Sequence, residues 1–318
     1  MKKWYPCELH CHTVHSDGDF TVEGLIETAK ERGLKGICLT DHNTYSGREE
    51  AAKEKELVIL QGIEWTTYFG HMLVLGANCF VEWRDAVSEN IDIKMKQVHA
   101  AGGLVGIAHP FQLGTPICTG GRWDFKVQDF SLVNYMEIWS EGEPLMNTAN
   151  RSARKMWHEK LSEGFRIAPT MGRDWHRAER NIRKGACTYL LCDGELTDMK
   201  MKEAVKCGRS VISMGPLFYF TIGDKTMGDE VTAGEQTLEF TLDFKRMAKM
   251  GVPEKVAPEK IKIISVGGQE VKTLDPTCLR TEITLKENTW YNAELRGKID
   301  NDENCLIALT APVYVKGE

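Results

Sequence analysis

The sequence predicts an α/β fold, a parallel sheet closing into a barrel, followed by a small all-β domain. Three observations predict it. Short β-prone apolar runs alternate with helical stretches over roughly the first two thirds of the chain, the pattern of strands joined through helical crossovers. Polar residues able to bind metals gather at the C-terminal ends of those runs, where a barrel carries its site. After Gly215-Pro216 the texture changes: Leu238, Phe240, Leu242 and Phe244 alternate with Thr237, Glu239, Thr241 and Asp243, the period of a half-buried antiparallel strand.

The chain has 318 residues, which favours one large catalytic domain, 1–218, and a smaller one, 219–318. Residues 7–14 read as the first strand and 21–33 as a helix, with Thr21 as N-cap and Gly33 as the stop. Strands follow at 36–40, 57–64, 72–76, 104–109, 135–139, 165–171 and 186–191. Helices are expected at 47–56, 84–101, 144–163 and 197–207. In the second domain, 261–271 reads as a hairpin turning at Gly267-Gly268. With strands at 281–285, 290–296 and 305–315 it would make a β-sandwich, leaving 249–260 as a loop.

Lys and Arg number 40 against 46 Asp and Glu, a net charge of −6. General nucleic-acid binding, which rests on clustered cations, is therefore not expected; a small-molecule substrate fits better. Ten cysteines are scattered without a CxxC pair, so they read as reduced thiols. The N-terminus has no apolar core of a signal peptide and no run of 18 apolar residues follows, so no membrane partner and a cytoplasmic location are expected. The oligomeric state is left open.

The chemistry begins at Cys7-Glu8-Leu9-His10-Cys11-His12. Alternate residues of a strand share a face, so His10 and His12 can grip one cation. Downstream come Thr40-Asp41-His42-Asn43, Gly62-Ile63-Glu64-Trp65, Gly70-His71-Met72, Ala108-His109-Pro110 and Gly172-Arg173-Asp174-Trp175-His176, where Asp174 and His176 repeat the same spacing. Imidazoles with carboxylates suit zinc, manganese or iron, not magnesium or calcium. One metal cannot use this many ligands.

These motifs, spanning about 7–214, resemble the PHP (polymerase and histidinol phosphatase) superfamily of metal-dependent phosphoesterases. Gly70-His71, the segment from Gly208-Arg209 to Gly215-Pro216, Gly223-Asp224-Lys225, Met227-Gly228-Asp229 and Thr310-Ala311-Pro312 resemble its CehA/McbA-type metallohydrolase branch. The resemblance implies a distorted (β/α)7 TIM-like barrel holding two to three divalent transition metals. It places His10, His12 and Asp174 on the first metal, with Glu64 bridging to a second on His71 and His109. Asp17, His42 and His176 would hold the third. Glu64, Asp174 and His176 are expected at the reacting centre, where a metal-activated hydroxide would cleave a phosphomono- or phosphodiester of a small metabolite or nucleotide.

Other polar residues carry blander readings. His15 reads as a rim residue, His99 and His158 as surface or packing residues, and Asp41 as a turn cap in preference to a partner of a ligand. Arg173 is the candidate for gripping a substrate phosphate, with Arg48, Arg122 and Arg177 as weaker ones. The charged runs 47–56 and 177–184 read as solvated faces. Two alternative functions stand beside phosphoester cleavage. One is carboxylester or carbamate hydrolysis at the same metals, and the other a metal-stabilised module binding carbohydrate or protein.

Overall fold

The computed structural model describes residues 1–114, 121–140, 145, 147–178, 185–246 and 255–317. The first region runs β1 (Lys2–Cys11), α1 (Val22–Glu31), β2 (Gly36–Leu39), α2 (Arg48–Ala51), β3 (Val58–Thr67), β4 (Gly70–Leu75), α3 (Ile91–Ala100) and β5 (Leu104–Ile107). It continues with β6 (Tyr135–Ser140), α4 (Thr148–Ser162), β7 (Ala168–Gly172), β8 (Cys187–Asp193), α5 (Asp198–Lys206) and β9 (Ser210–Ser213). Thr21 caps α1, accepting from the Gly24 N–H at 3.0 Å, and Gly33 ends the turn at φ 78°.

The sheet is mixed rather than wholly parallel. Strands β1, β2 and β3 are parallel, as are β5, β6 and β7, but β4 runs antiparallel to both β3 and β5. Only Tyr68 and Phe69 separate β3 from β4, and a connection that short permits only a hairpin; a parallel return takes a dozen residues or more. Strand β8 pairs antiparallel with β1 on its other side. The sheet curls back on itself past β7: Trp175 donates its N–H to the His10 carbonyl at 3.0 Å and accepts from the His12 N–H at 2.9 Å.

Two helices are shorter than the sequence predicts. The expected helix 47–56 is only the four residues of α2, because the Glu54 carboxylate accepts the backbone N–H groups of Lys55, Glu56 and Leu57 and turns the chain away. The expected helix 84–101 starts at Ile91, because Asn90 spends its side chain on the Val87 N–H and the Asp85 carbonyl in a local turn. Part of the expected helix 144–163, part of the run 177–184 and the first half of the expected loop 249–260 lie outside the described residues. From Val256 onward that loop is strand instead.

The second region is all β: β10 (Leu217–Thr221), β11 (Glu230–Thr232), β12 (Gly234–Asp243), β13 (Val256–Ser265), β14 (Gln269–Leu274), β15 (Arg280–Leu285), β16 (Thr289–Ile299), β17 (Asp302–Thr310) and β18 (Val313–Lys316). The hairpin of β13 and β14 turns at Gly267 and Gly268, both at positive φ. Strands β10, β12 and β15 form a separate three-stranded antiparallel sheet, while β17 pairs with β9. One sheet therefore runs through both regions. Phe218, Phe220 and Phe240 of the small sheet join one apolar core with Ile261, Leu295 and Leu306 of the large one.

Under the site the interior is apolar. On β3, Leu60 and Glu64 share a face, as Leu73 and Leu75 do with His71 on β4. Leu60, Leu73, Leu75, Leu104 and Tyr135 form one buried cluster, so the polar groups stand on a hydrocarbon floor.

Candidate metal centre

The strand ends bring all nine proposed ligands together. His10 and His12 lie with ring centroids 4.9 Å apart, and their Nε2 atoms stand 3.3 and 2.9 Å from Asp174 Oδ1. Glu64, fully buried, points its two oxygens at different histidines. Oε1 is 2.9 Å from His71 Nδ1 and 3.2 Å from His109 Nε2; Oε2 is 3.2 Å from His10 Nε2, 3.3 Å from His12 Nε2 and 2.9 Å from His42 Nδ1. Asp17 completes the outer edge, with Oδ1 3.1 Å from His176 Nε2 and Oδ2 3.5 Å from His42 Nε2.

Two of the proposed ligands and one neighbour hold strained backbone. Asp174 and His109 have φ of 54° and 24°, and Asn43, after His42, has 57°. Such conformations cost of order 1–3 kcal/mol each in residues other than glycine and persist where surrounding bonds impose them. Asn43 is held by its N–H to the Glu64 carbonyl at 2.9 Å, and Asp174 by the Trp175 bonds to β1.

The donor set fits a cation. His10 Nε2, His12 Nε2, Glu64 Oε2 and Asp174 Oδ1 are buried and make no aligned hydrogen bond, although they crowd together. Buried polar atoms are nearly always bonded, so four converging exceptions mark a place for cations, and nitrogen with carboxylate oxygen is the donor mixture of transition metals. The electrostatics agree. Burial alone would raise Glu64, but the His10 and His71 imidazoles outweigh it and hold the carboxyl well below the usual range. Burial would lower His42, but Asp17 and Glu64 push it up to about 10. Ionised carboxylates are thus balanced by protonated rings, and metal loading must expel those protons.

Several supporting residues escaped the sequence reading. Glu137 of β6 is buried, with Oε1 2.9 Å from His10 Nδ1 and Oε2 accepting the His109 N–H at 3.0 Å. Its one signal was a lone carboxylate inside the apolar run Tyr135-Met136-Glu137-Ile138-Trp139. Thr66 Oγ1 meets His42 Nδ1. Glu8 Oε1 accepts the N–H groups of His10 and Arg173; burial pushes its carboxyl up to about 7 against the pull of Arg173 and His10.

Among the other candidates, Asp41 accepts from the Thr13 N–H and hydroxyl and from Ser16 Oγ, so it fastens the turn leading to Asp17. Arg173 is 8% exposed, and its guanidinium lies 5.7 Å from the Trp175 ring centroid. His15 bonds Ser46 and Glu50 at the rim. His99 bonds the Leu132 carbonyl, while His158 is buried and packs on Trp290. Beside His109, a pocket is lined by Phe111, Gln112, Ser140 and Asn150 among others. Ser140 Oγ and Gln112 Oε1 have no hydrogen-bond partner there.

Comparison with known proteins accords with this geometry. The PHP domain model matches residues 8–95, a span that includes His10, His12, Asp17, His42, Glu64 and His71. An uncharacterized protein of Methanocaldococcus jannaschii is 33% identical over 125 residues, 35% of this chain and 69% of that protein. A 5'-3' exoribonuclease of Haemophilus influenzae is 37% identical over 70 residues, 21% of this chain, and a probable phosphatase of Caldicellulosiruptor saccharolyticus 53% over 36 residues, 11% of this chain. The chain spans only 25% and 15% of those two relatives' lengths. The fold resembles a crystal structure from Bacteroides vulgatus, a two-domain protein containing a predicted PHP-like metal-dependent phosphoesterase. That likeness has a TM-score of 0.52 at 16% identity, covering 98% of this chain and 96% of that one. The chain therefore carries a PHP domain across residues 8–95, with six of the proposed ligands inside that span.

Proposed function

We propose that the protein is a metal-dependent phosphoesterase acting on phosphomono- or phosphodiesters of a small metabolite or nucleotide, at a site for two to three divalent transition metals. The observation that carries this reading is the set of four buried donor atoms of His10, His12, Glu64 and Asp174 that converge without aligned hydrogen bonds to one another. In this reading His10, His12 and Asp174 hold one cation, Glu64 shares it with a second held by His71 and His109, and Asp17, His42 and His176 hold a third. Zinc, manganese or iron bound there would lower the pKa of a coordinated water and neutralise phosphate oxygens.

The chain's own residues set the direction of approach. Side chains of His10, His12 and Glu64 are fully buried, whereas Asp17 is 54% and His176 23% exposed. Substrate therefore enters from the Asp17 side. His176 keeps its proton on Nδ1, 2.7 Å from the Asp174 carbonyl, which turns Nε2 toward Asp17 and the third cation, and ionised Glu64 and Asp174 anchor the cluster beneath it. The pocket beside His109 takes polar groups of the substrate on Ser140 Oγ and Gln112 Oε1. For Arg173 to grip phosphate, its guanidinium would have to turn from the Trp175 ring.

We further read the curled sheet as a distorted (β/α)7 barrel, the C-terminal layers as a β-sandwich beginning near residue 219, and the branch as CehA/McbA-type. The last rests on the motif resemblance, within which Gly228 of Met227-Gly228-Asp229 packs on the end of α5, where a Cβ would stand 1.9 Å from the Cys207 carbonyl oxygen. The test is turnover by purified protein reloaded with manganese, zinc or iron, against panels of phosphoesters and carboxylesters. Phosphoester turnover that chelator abolishes and metal restores is expected. Turnover confined to carboxylesters would replace the reading.

A further inference from the structure

We propose that Glu137 is a positioning residue that ties two metal subsites together from behind, holding His10 by its ring and His109 by its backbone. This rests on the metal-holding part of the reading above and is independent of the substrate. The two bonds do different work. His10 Nδ1 lies 2.9 Å from Glu137 Oε1, and a carboxylate accepts only a proton-bearing nitrogen. That bond selects the tautomer whose Nε2 carries the lone pair. Nε2 is the atom that faces Glu64 at 3.2 Å and Asp174 at 3.3 Å with no hydrogen-bond partner of its own.

The second oxygen acts on backbone. Glu137 Oε2 accepts the His109 N–H at 3.0 Å, fixing a residue whose φ of 24° would otherwise relax. That strained turn aims His109 Nε2 at Glu64 Oε1, 3.2 Å away. Glu64 thus joins the two subsites at the front, and Glu137 joins the same two histidines at the rear. His10, His109 and Glu137 lie close enough to surround an ion themselves, but both Glu137 oxygens are already engaged, and on His10 it is the nitrogen facing away from Glu64 and Asp174 that it occupies.

The neighbouring strand is shaped for this carboxylate. A Cβ on Gly172 of β7 would stand 1.7 Å from Glu137 Oε1 and 2.3 Å from Cδ. Gly172 is not among the glycines at positive φ, so β7 uses its lack of a side chain rather than its backbone freedom. The space exists for Glu137.

The test measures zinc affinity by competition with a chromophoric chelator, and zinc content by elemental analysis, for wild type, Glu137→Gln, Glu137→Ala, Gly172→Ala and the Glu137→Ala/Gly172→Ala double variant. Glutamine offers one acceptor where two are needed, so each single variant should bind zinc roughly 10–100-fold more weakly, losing both metals together. Gly172→Ala should add little in the Glu137→Ala background, because its effect passes through the carboxylate. In zinc-loaded wild type, nitrogen NMR should show His10 protonated at Nδ1. Wild-type affinity in Glu137→Gln, loss of one metal alone, or an undiminished Gly172→Ala effect without the carboxylate would each overturn the proposal. Wild-type protein that takes up no zinc would instead end the metal reading itself.

Discussion

His158 lies nearly flat against Trp290, ring centroids 5.2 Å apart and planes 24° from parallel, so a helix of the first region is sealed to a strand of the second by two aromatic rings. Gly268 completes the seal: a Cβ there would come within 2.7 Å of His158 Nδ1. Of the two roles the sequence allowed for His158, surface or packing, the structure assigns packing. His158→Ala should cost roughly 2–5 kcal/mol through the cavity it leaves, while metal content per folded chain stays unchanged. Urea unfolding with elemental analysis checks both halves; an unchanged urea midpoint would contradict the first.

The same ring sets a pH dependence. Burial, with the Arg154 charge adding and Glu294 partly offsetting, brings His158 down to about 4 from an ordinary 6.5. The unfolded chain takes up a proton as pH falls below about 6.5, and the folded one resists until about 4. The stability from this residue is therefore present above pH 6.5 and is lost as pH falls toward 4, by about 3 kcal/mol in all. His158→Phe keeps the stacking and cannot titrate. In metal-free protein, wild type should lose more stability than this variant between pH 7 and 4.5, and parallel losses would refute the assignment.

A third expectation concerns the join between the regions. Glu294 of β16 is fully buried, bonded to Arg154 of α4 and to Arg296 Nε at 2.7 Å. Removing one partner of a buried ion pair leaves charge without compensation, so Glu294→Ala should destabilise by about 3–5 kcal/mol. Ending the chain near residue 220 does more, since it strips β17 from β9 and opens the shared core. That fragment should unfold without cooperativity and aggregate. A fragment melting like the full chain would show that the regions fold independently.

What the sequence made legible was the part governed by short-range periodicity. Alternation put His10 and His12 on one face, and apolar runs bounded by polar residues located Glu64 and Asp174 toward strand C-terminal ends and His71 at a strand start. Connection direction was less visible: β4 looked like one more strand in a parallel series, and only the two-residue link Tyr68-Phe69 betrayed the hairpin. Glu137 was hidden for a different reason. Its role depends on a contact with a strand 127 residues away in sequence and on the missing side chain of Gly172, neither of which leaves a local pattern. The early end of helix 47–56 was set by one side chain, Glu54, competing for backbone N–H groups, which propensity does not register.

Glu64 provides the most direct test of the centre. Its Oε1 faces His71 and His109 and its Oε2 faces His10, His12 and His42, so one carboxylate stands between two groups of imidazoles that would otherwise repel each other when loaded. All of these contacts are to histidines, where a strand-end carboxylate paired with a lysine would show an ammonium. Glu64→Gln preserves the shape and removes the charge. Both adjoining cations should weaken together, and phosphoester turnover should fall on the order of a hundredfold or more, since changes one shell further out already cost about 10–100-fold. Lys155→Ala, on the exposed face of α4 with its side chain 79% accessible, should leave both quantities near wild type. Metal occupancy and turnover measured for the two variants together decide the matter: a Glu64→Gln protein that retains both metals and full turnover would remove Glu64 from the centre.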